Sequence, residues 1–297
     1  MSKGDSPEQE LRSLLPSSIA VRFEEMFPSL RKGKLSRRDR KRAKILRKAE
    51  PVLKRALGPL EVVRFATHGV RQLMWWLLTA GSMNPFANRT TLVLTNQRVL
   101  LIHTDWRYRP CLFANQLPVE RIVETMGRNS YVFIRSPREQ LMFHGVRRSE
   151  AQYLQSLLDS TDANEGGWQN LCPHCFTAID GAPEACPSCG ERFKSARRAA
   201  LRSFLFPGLG DFYLGYRKYG LLEIAGAGAL WGIFLSTLIP AVRLKGAAGM
   251  LLALPMLGLV ALVHAGDAWL TRNKAKMGLH SKDGALPTDD EGSQPST

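Results

Sequence analysis

The stretch IAGAGALWGIFLSTLIPAV, residues 224–242, carries no formal charge over 19 positions, and the run from 246 to 266 carries none over 21. Each run has the length of roughly 20 residues that a helix needs to cross the hydrocarbon core of a bilayer. Only Arg243, Leu244 and Lys245 separate the two runs. The pattern therefore predicts a tight hairpin of two transmembrane helices. A buried helical hairpin in a soluble protein is the alternative, which two adjacent runs of this length disfavour.

Basic residues around the two apolar runs predict their orientation. Two lie in the connecting turn, whereas ten flank the pair. Lysine and arginine concentrate on the cytoplasmic side of membrane spans, so both ends of the hairpin are expected in the cytoplasm. The amino terminus, MSKGDSPEQE, is polar and has no apolar signal core behind it, which also favours a cytosolic start. The ten flanking residues are Arg192, Lys194, Arg197, Arg198, Arg202, Arg217, Lys218, Arg272, Lys274 and Lys276.

Four of the five cysteines form two Cys-x-x-Cys pairs, Cys172-Pro-His-Cys175 and Cys186-Pro-Ser-Cys189, with ten residues between them. Two such pairs offer four thiolates to one tetrahedral ion. A four-sulfur set favours zinc in a structural role, with iron or a redox-active dithiol as the alternatives. Because four sulfurs saturate the ion, His174 is expected to face solvent.

The paired CPxC motifs resemble the zinc-ribbon families over about residues 171–193. The resemblance implies a small ribbon fold around a structural Zn²⁺. Phe176 departs from the family pattern, because a glycine commonly follows the first pair. The implied metal ligands are Cys172, Cys175, Cys186 and Cys189.

Residues 58 to 160 contain several β-branched and aliphatic runs. A hairpin is predicted for residues 90–104, with its turn at Asn-Gln, and a second hairpin for residues 131–144. Residues 149–158 show the apolar spacing of a helix. Successive hairpins followed by one amphipathic helix predict a small β-barrel that is plugged at one end.

The string LTNQRVLLI, residues 94–102, resembles the strand pair of bacterial PH-like and GRAM-like domains, and GPLEVV, residues 58–63, resembles their opening strand. The resemblance implies a PH-type β-barrel with a C-terminal helix. That fold hosts lipid binding, peptide binding and pure assembly, so it does not decide function. The apolar segment LMWWLL, residues 73–78, is expected in the core or an oligomer surface, or alternatively in contact with the bilayer.

The stretch FPGLGDFYLGYRKYG, residues 206–220, interleaves glycines with aromatic residues, which suits a chain in the headgroup region of a membrane. It resembles the opening motif of small two-span membrane domains, G-x-G-(x)-FYLG followed by a helical hairpin. The resemblance covers about residues 205–275 and implies no general catalytic role. The chain lacks the His-Arg that commonly precedes FYL in that family, and Asp211 lies nearest that place.

Small and acidic residues inside the two spans raise separate expectations. Gly228 and Gly232 lie on one helical face, where another helix can approach closely. The second span of the same chain is the simplest partner, and homodimerisation is the alternative. Glu223 and Asp267 lie near the predicted cytoplasmic ends, where interfacial capping is favoured over a functional role inside the membrane.

Thirteen lysines and arginines crowd between Arg31 and Arg55, on a segment whose apolar residues recur at helical intervals. Ser36-Arg-Arg-Asp39 has the spacing of a capping box, and Pro51 is expected to interrupt or kink the helix. Anionic lipid attracts such a face by about 1 kcal/mol per basic residue near the surface. We expect contact with anionic lipid or nucleic acid to be made through Arg37, Arg38, Lys41 and Lys44.

The basic helix has two other interpretations. Nucleic acid would be attracted by the same charge, but no aromatic residues interleave the basic ones to stack on bases. On a membrane, Leu46, Ala49 and Leu53 would enter the headgroup boundary. The alternative is that this apolar stripe packs on the barrel.

The sequence does not favour an enzyme. It has no P-loop, GxSxG or HExxH motif, no paired carboxylates in a recognisable context, and scattered histidines. The formal net charge of +15 implies attraction to polyanions, meaning nucleic acid or an anionic lipid surface.

These patterns predict a multidomain α+β membrane protein. Its expected parts are a basic helical region (1–57), a PH-like β-barrel with a C-terminal helix (58–160), a linker (161–170), a small zinc ribbon (171–193), an amphipathic interfacial segment (194–218), a two-helix transmembrane hairpin (219–270) and a basic, then disordered, tail (271–297). The expected location is the bacterial cytoplasmic membrane, with both termini cytosolic.

The expected function is that of a non-enzymatic, membrane-anchored scaffold or adaptor, which displays the PH-like domain and the structural zinc ribbon at the cytoplasmic face. The alternative is a membrane-tethered nucleic-acid-binding protein that uses the ribbon and the basic helix. The expected partners are the lipid bilayer, anionic lipids and a protein of unknown identity. Nucleic acid is a less favoured partner, and homo-oligomerisation is left open.

Overall fold

The chain is a mixed α+β protein that divides into two compact units. The computed structural model describes residues 7–32, 35–72, 88–158, 162–163, 165–282 and 286. The LMWWLL segment and most of the predicted disordered tail lie outside these residues. The sheet unit comprises Met1–Ala182, Cys186–Glu191 and Asp283–Thr297, and the hairpin unit comprises Pro183–Ala185 and Arg192–Lys282.

The described strands of the sheet unit form one antiparallel sheet of nine strands. In chain order they are β1 (Val63–Gln72), β2 (Arg89–Thr95), β3 (Arg98–Thr104), β4 (Pro110–Pro118), β5 (Glu124–Arg128), β6 (Tyr131–Arg135), β7 (Gln140–His144), β8 (Gln169–Leu171) and β9 (Ala178–Ile179). Their spatial order is β5-β6-β7-β1-β2-β3-β4-β8-β9, which ends in an edge on each side. The sheet is therefore open among the described residues, and the predicted closed barrel is not confirmed.

Both predicted hairpins are confirmed. Leu94 pairs with Val99 across the turn between β2 and β3, and Arg135 pairs with Gln140 between β6 and β7. The predicted helix following the second hairpin is α4 (Arg148–Leu157), which packs against β5 and β6. The helix follows the hairpins as expected, and it covers one face of an open sheet.

The central strands bury side chains on both faces. Successive residues of a strand point to opposite sides, so neighbours in β2 enter different cores. Leu92 joins a cluster with Phe143 and with Leu154 of α4, whereas Val93 joins a second cluster on the other side of the sheet. Two layers packed on one sheet explain why every residue of β2 and β3 after the first is buried.

The second cluster is covered by the N-terminal helices: α1 (Pro7–Leu14), α2 (Phe23–Met26) and α3 (Arg37–Ala56). Leu46, Ala49 and Leu53 are fully buried there. The expectation that they enter a headgroup boundary is wrong, and the alternative, packing on the β-rich domain, is confirmed. The N-terminal region is thus a layer of the sheet unit rather than a separate element.

Helix α3 begins as predicted, but it does not end at its proline. The predicted capping box is confirmed, because the Ser36 hydroxyl accepts from the Asp39 backbone while the Asp39 carboxylate accepts from the Ser36 N–H. The helix continues through Pro51 to Ala56, so the predicted interruption is wrong. Burial of Val52 and Leu53 in the core offsets the hydrogen bond that proline removes.

The hairpin unit is made of four helices. They are α5 (Ala196–Leu205), α6 (Leu209–Leu214), α7 (Arg217–Lys245) and α8 (Ala247–Ala275). The segment predicted as interfacial, 194–218, contains α5 and α6, which pack on α8 and on α7 and α8, respectively. A turn at Gly246 joins α7 directly to α8, so the helical hairpin is longer than the predicted 219–270.

Helices α7 and α8 are long and apolar enough to cross a membrane. In their most apolar 18-residue windows only 11% and 22% of the residues are buried. A hairpin at the centre of a soluble domain would instead bury these side chains. The exposed large residues include Leu222, Ile233, Leu251, Leu254, Leu262 and Trp269.

The chain beyond α8 is packed as far as Lys282. Leu279, His280 and Ser281 are buried, and Phe193 forms a β-bridge with Ser281. The predicted disordered tail therefore does not begin directly after Gly278. Main-chain pairing with the segment that precedes α5 holds these residues in place.

Candidate functional site

The four paired cysteines lie in two turns with the same hydrogen bonds. In the first, the Cys172 N–H donates to the Thr177 carbonyl at 3.0 Å and the Phe176 N–H donates to the Cys172 carbonyl at 3.0 Å. In the second, the Cys186 N–H donates to Glu191 at 2.8 Å and the Gly190 N–H donates to Cys186 at 3.0 Å. The repeat directs each cysteine pair toward one centre.

The residue after each pair adopts a left-handed backbone conformation. Its φ is 58° at Phe176 and 76° at Gly190. A side chain there costs about 1–2 kcal/mol, which explains why glycine is usual. The Phe176 ring is buried and joins the core cluster beneath α3, and burial of such a ring contributes about 1.5–3 kcal/mol. Packing therefore offsets the backbone strain and accounts for the departure from glycine.

The sulfur atoms have the spacing of a tetrahedral metal site. The Sγ atoms of Cys172 and Cys189 lie 3.7 Å apart, and those of Cys175 and Cys186 lie 3.6 Å apart. All four lie within 4.8 Å of one another. Metal–sulfur bonds of about 2.3 Å in a tetrahedron separate the sulfurs by about 3.8 Å. The four cysteines predicted as ligands thus form a cluster that can hold a metal ion.

Protonation of the cluster differs between its members. Burial raises the pKa of Cys172. Burial acts in the same direction at Cys175, but hydrogen bonding to the Thr177 hydroxyl and backbone outweighs it and lowers the pKa to about 6. Metals bind thiolates, so metal binding would release the Cys172 proton. His174 is exposed, as expected for a residue that is not a ligand.

The four-cysteine cluster is continuous with the large sheet. Strand β8 leads into Cys172 and pairs with β4, where Leu171 lies opposite Ala114 and Gln169 opposite Gln116. The predicted linker 161–170 therefore ends inside a paired strand. The cluster is thus an extension of the sheet edge.

Three of the four basic residues predicted to bind polyanions lie together. Arg37, Arg38 and Lys41 line a pocket of about 200 Å³, whereas Lys44 is exposed on the same helix outside the lining. The pocket also contains Arg42 and Arg147, which the sequence did not single out. The sequence feature that could have indicated Arg147 is the Arg147-Arg148 pair directly before the predicted helix at 149.

A buried polar network lies at the end of the helical hairpin that is predicted to be cytoplasmic. The Lys274 ammonium pairs with the Asp211 carboxylate, and Thr271 donates to the same carboxylate at 3.2 Å. Asp267 accepts from the Gly208 N–H at 3.0 Å, directly before the start of α6. The Glu223 carboxylate lies 3.5 Å from Lys274. These contacts favour the structural interpretation of Glu223 and Asp267.

Lys274 lowers the number of exposed cations that flank the hairpin. It was counted among ten flanking cations, but its side chain is 6% exposed and neutralised by Asp211. Nine flanking cations remain against two in the turn. The bias toward cytoplasmic ends is smaller than the sequence indicates and keeps its sign.

The glycines of the hairpin unit fall into two groups. A Cβ on Gly210 would lie 2.3 Å from the Ala199 carbonyl oxygen, so α5 and α6 touch at this position. At Gly228 and Gly232 a Cβ would meet no atom of the described residues within 4 Å. The expectation that the second span packs closely against these two residues is therefore wrong. Homodimerisation through them stays a prediction.

We found no match to this chain among models of protein families, among curated proteins or among solved structures.

Proposed function

We propose that this protein is a non-enzymatic, membrane-anchored scaffold or adaptor. Helices α7 and α8 would cross the bacterial cytoplasmic membrane, and the sheet unit would be displayed on its cytoplasmic side. The observation that carries the proposal is the exposed apolar surface of these two helices. The sheet unit, by contrast, packs apolar side chains into two buried clusters.

Helix α5 supports a membrane position for the hairpin unit. It exposes Leu201, Phe204 and Leu205 and also carries three arginines. The Arg202 guanidinium lies 4.1 Å from the centre of the Tyr213 ring. Apolar side chains and cations on one short helix, with the Tyr213 ring of α6 beside them, suit the boundary between headgroups and acyl chains.

The sheet unit supports the display role. Its elements follow the order that a PH-like domain would have: the entry into β1, the hairpin β2–β3 and the helix after β7. We propose that the four-cysteine cluster binds zinc, because thiolates in a closed tetrahedral set favour that ion in structural sites. Four sulfur ligands leave no open position for a substrate, so the ion would stabilise the sheet edge.

Topology in intact cells tests the membrane proposal. A cysteine placed at Leu244, in the turn between α7 and α8, should react with a membrane-impermeant maleimide before lysis. Ser296→Cys and the unmodified chain should react only after lysis. Labelling of Ser296→Cys in intact cells, or recovery of the chain in the soluble fraction, would overturn the proposal.

The adaptor role is tested separately. Affinity capture of the intact protein from its native membrane should recover a partner protein that is lost when the sheet unit is altered and the hairpin unit is kept. Capture of nucleic acid in a salt-dependent manner, without a protein partner, would instead support the tethered nucleic-acid-binding alternative.

A further inference from the structure

Two helices of the sheet unit begin at the same pocket. Helix α3 starts at Arg37 and helix α4 at Arg148, and residues at both starts line the cavity of about 200 Å³. The Arg38 guanidinium donates to the Ser149 hydroxyl at 3.1 Å. The Arg42 guanidinium pairs with Glu150 at 2.6 Å. These two contacts fix the helix starts against each other.

The lining of this pocket is strongly positive. It has five cationic side chains and one carboxylate, that of Glu150, which is already paired with Arg42. His68 adds no charge, because burial, with Lys41 and Arg89 nearby, lowers its pKa to about 3. The cations of the lining are Arg37, Arg38, Lys41, Arg42 and Arg147.

The helix starts add to the positive potential. The first N–H groups of a helix carry partial positive charge and attract anions. Arg147 is the N-cap of α4 and makes no side-chain capping bond. Cations at a helix start oppose the helix dipole, so placing Arg37, Arg38 and Arg147 there disfavours the free pocket. An anion in the pocket would relieve that repulsion.

Arg42 gives the pocket a rigid wall. Its side chain is 7% exposed, its guanidinium lies 4.5 Å from the centre of the Phe65 ring, and it donates to the Met26 carbonyl at 3.2 Å. Its Nε is buried and has no hydrogen-bond partner in the part of the chain that the structure describes. The Asp39 carboxylate also lies 3.6 Å from the Arg42 guanidinium. A buried cation held by these four groups, with its Nε donor still open, gives the pocket a preformed wall.

We propose that this pocket binds a phosphate group. Arginines at a helix start donate charge-assisted hydrogen bonds to a phosphate. A carboxylate has fewer acceptor oxygens and would accept fewer of these hydrogen bonds. The cavity has room for one phosphate with a small substituent. The group comes from an anionic phospholipid headgroup or from a free phosphate ester. The lipid source rests on the proposed membrane function, whereas phosphate binding itself does not.

Inorganic phosphate tests the site in the intact protein in neutral detergent. At constant ionic strength, phosphate should raise the thermal unfolding midpoint and should bind measurably by calorimetry. Lys41→Glu with Arg147→Glu should weaken binding by roughly tenfold or more, because each lost charge-assisted hydrogen bond weakens it. Lys41→Glu alone should also weaken binding, and Lys44→Glu is its matched control, since it makes the same charge change on the same helix outside the pocket.

Hydrogen exchange in lipid nanodiscs distinguishes the two sources. If a lipid headgroup fills the pocket, residues 37–45 and 145–151 should be better protected in discs containing phosphatidylglycerol than in phosphatidylcholine discs. The double variant should lose this difference and Lys44→Glu should keep it. Protection by phosphate with no lipid difference would assign the site to a free phosphate ester.

Three results would overturn the proposal. The first is a wild-type chain that responds neither to phosphate nor to anionic lipid. The second is an equal loss of binding in Lys44→Glu, which would mean diffuse surface attraction. The third is protection of the pocket by RNA but not by phosphate. If the charge-reversed double variant fails to fold, Lys41→Met with Arg147→Gln makes the same comparison.

Discussion

The Glu61 carboxylate receives two hydrogen bonds from the Arg98 guanidinium, from Nε at 2.9 Å and from Nη2 at 2.7 Å. Their side chains are 1% and 17% exposed. Thr95 also donates to Glu61 at 2.7 Å, and Arg98 donates to the Ala56 carbonyl. One ion pair thus joins the end of α3, the entry to β1 and the turn between β2 and β3.

Replacing Arg98 with methionine should destabilise the sheet unit by about 3–5 kcal/mol, because the buried Glu61 carboxylate loses its counter-charge. Chemical denaturation of the intact protein, followed by near-UV circular dichroism, measures the loss. Arg135→Met removes an exposed pair with Glu124 and should cost less than about 1 kcal/mol. Equal effects of the two substitutions would contradict this role for the buried pair.

Acid should weaken the same contact. Although burial acts in the opposite direction, hydrogen bonds from Arg98, Thr95 and the Gly58 backbone hold the pKa of Glu61 below its ordinary value of 4.5. The folded pKa is the lower one, so this contribution is fully present above pH 4.5 and is lost as pH falls through the folded pKa. Glu61→Gln should therefore show a flatter decline of stability with acid. Parallel acid profiles for the two proteins would count against it.

Purified protein should contain one zinc ion per chain, measured by elemental analysis under reducing conditions. Less than half an equivalent of any thiophilic metal would be inconsistent with the site. Chelation should increase hydrogen exchange in β8 and also at residues 114–116 of β4, because these strands are paired. Exchange that increases only within residues 172–191 would show that the sheet edge does not depend on the metal.

Phe176→Gly should be more stable than Phe176→Ala. Both Phe176→Ala and Phe176→Gly lose the buried ring, which costs about 3–5 kcal/mol. Alanine keeps the strain of a side chain at φ 58°, so it should be less stable than glycine by about 1 kcal/mol. Unfolding midpoints of the metal-loaded proteins give the order. The reverse order would mean that the backbone relaxes without the ring.

Gly210→Ala should disrupt the hairpin unit, whereas Gly228→Ala should leave a single chain unaffected. The added methyl at 210 would collide with backbone, and at 228 it enters open space. Thermal unfolding in detergent compares the two. If Gly228→Ala instead lowers the fraction of a dimer seen by cross-linking, the homodimer prediction gains support. A tolerated Gly210→Ala would contradict the observed packing.

Local patterns predicted much of this structure. The capping box at Ser36, the two hairpins and the four-cysteine cluster depend on residues close in sequence or on fixed spacing. The fate of the α3 apolar stripe did not follow, because helical periodicity identifies a face to be covered and does not identify what covers it. Leu46 therefore fits a sheet or a membrane equally well on sequence alone.

The predictions that failed mostly concern residues whose partners are distant in sequence. Lys274 reads as a flanking cation until Asp211, distant in sequence, is placed beside it. Residues 169 and 170 read as the end of a linker because the three residues of β8 carry too little pattern to indicate a strand. In the basic pocket, Arg147 becomes relevant only when α3 and α4 are brought to the same point. Each case needs the tertiary arrangement.

The pairing of β8 with β4 has a consequence for self-association. An uncovered outer strand offers free N–H and C=O groups to a neighbouring molecule, which is a route to swapped or aggregated chains. Strand β4 has nine residues, and β8 shields three of its positions, Ala114, Asn115 and Gln116. The sulfur cluster anchors that short shield. If the cysteines are oxidised or hold no metal, the edge of β4 would therefore be exposed. The protein would then aggregate before it unfolds globally.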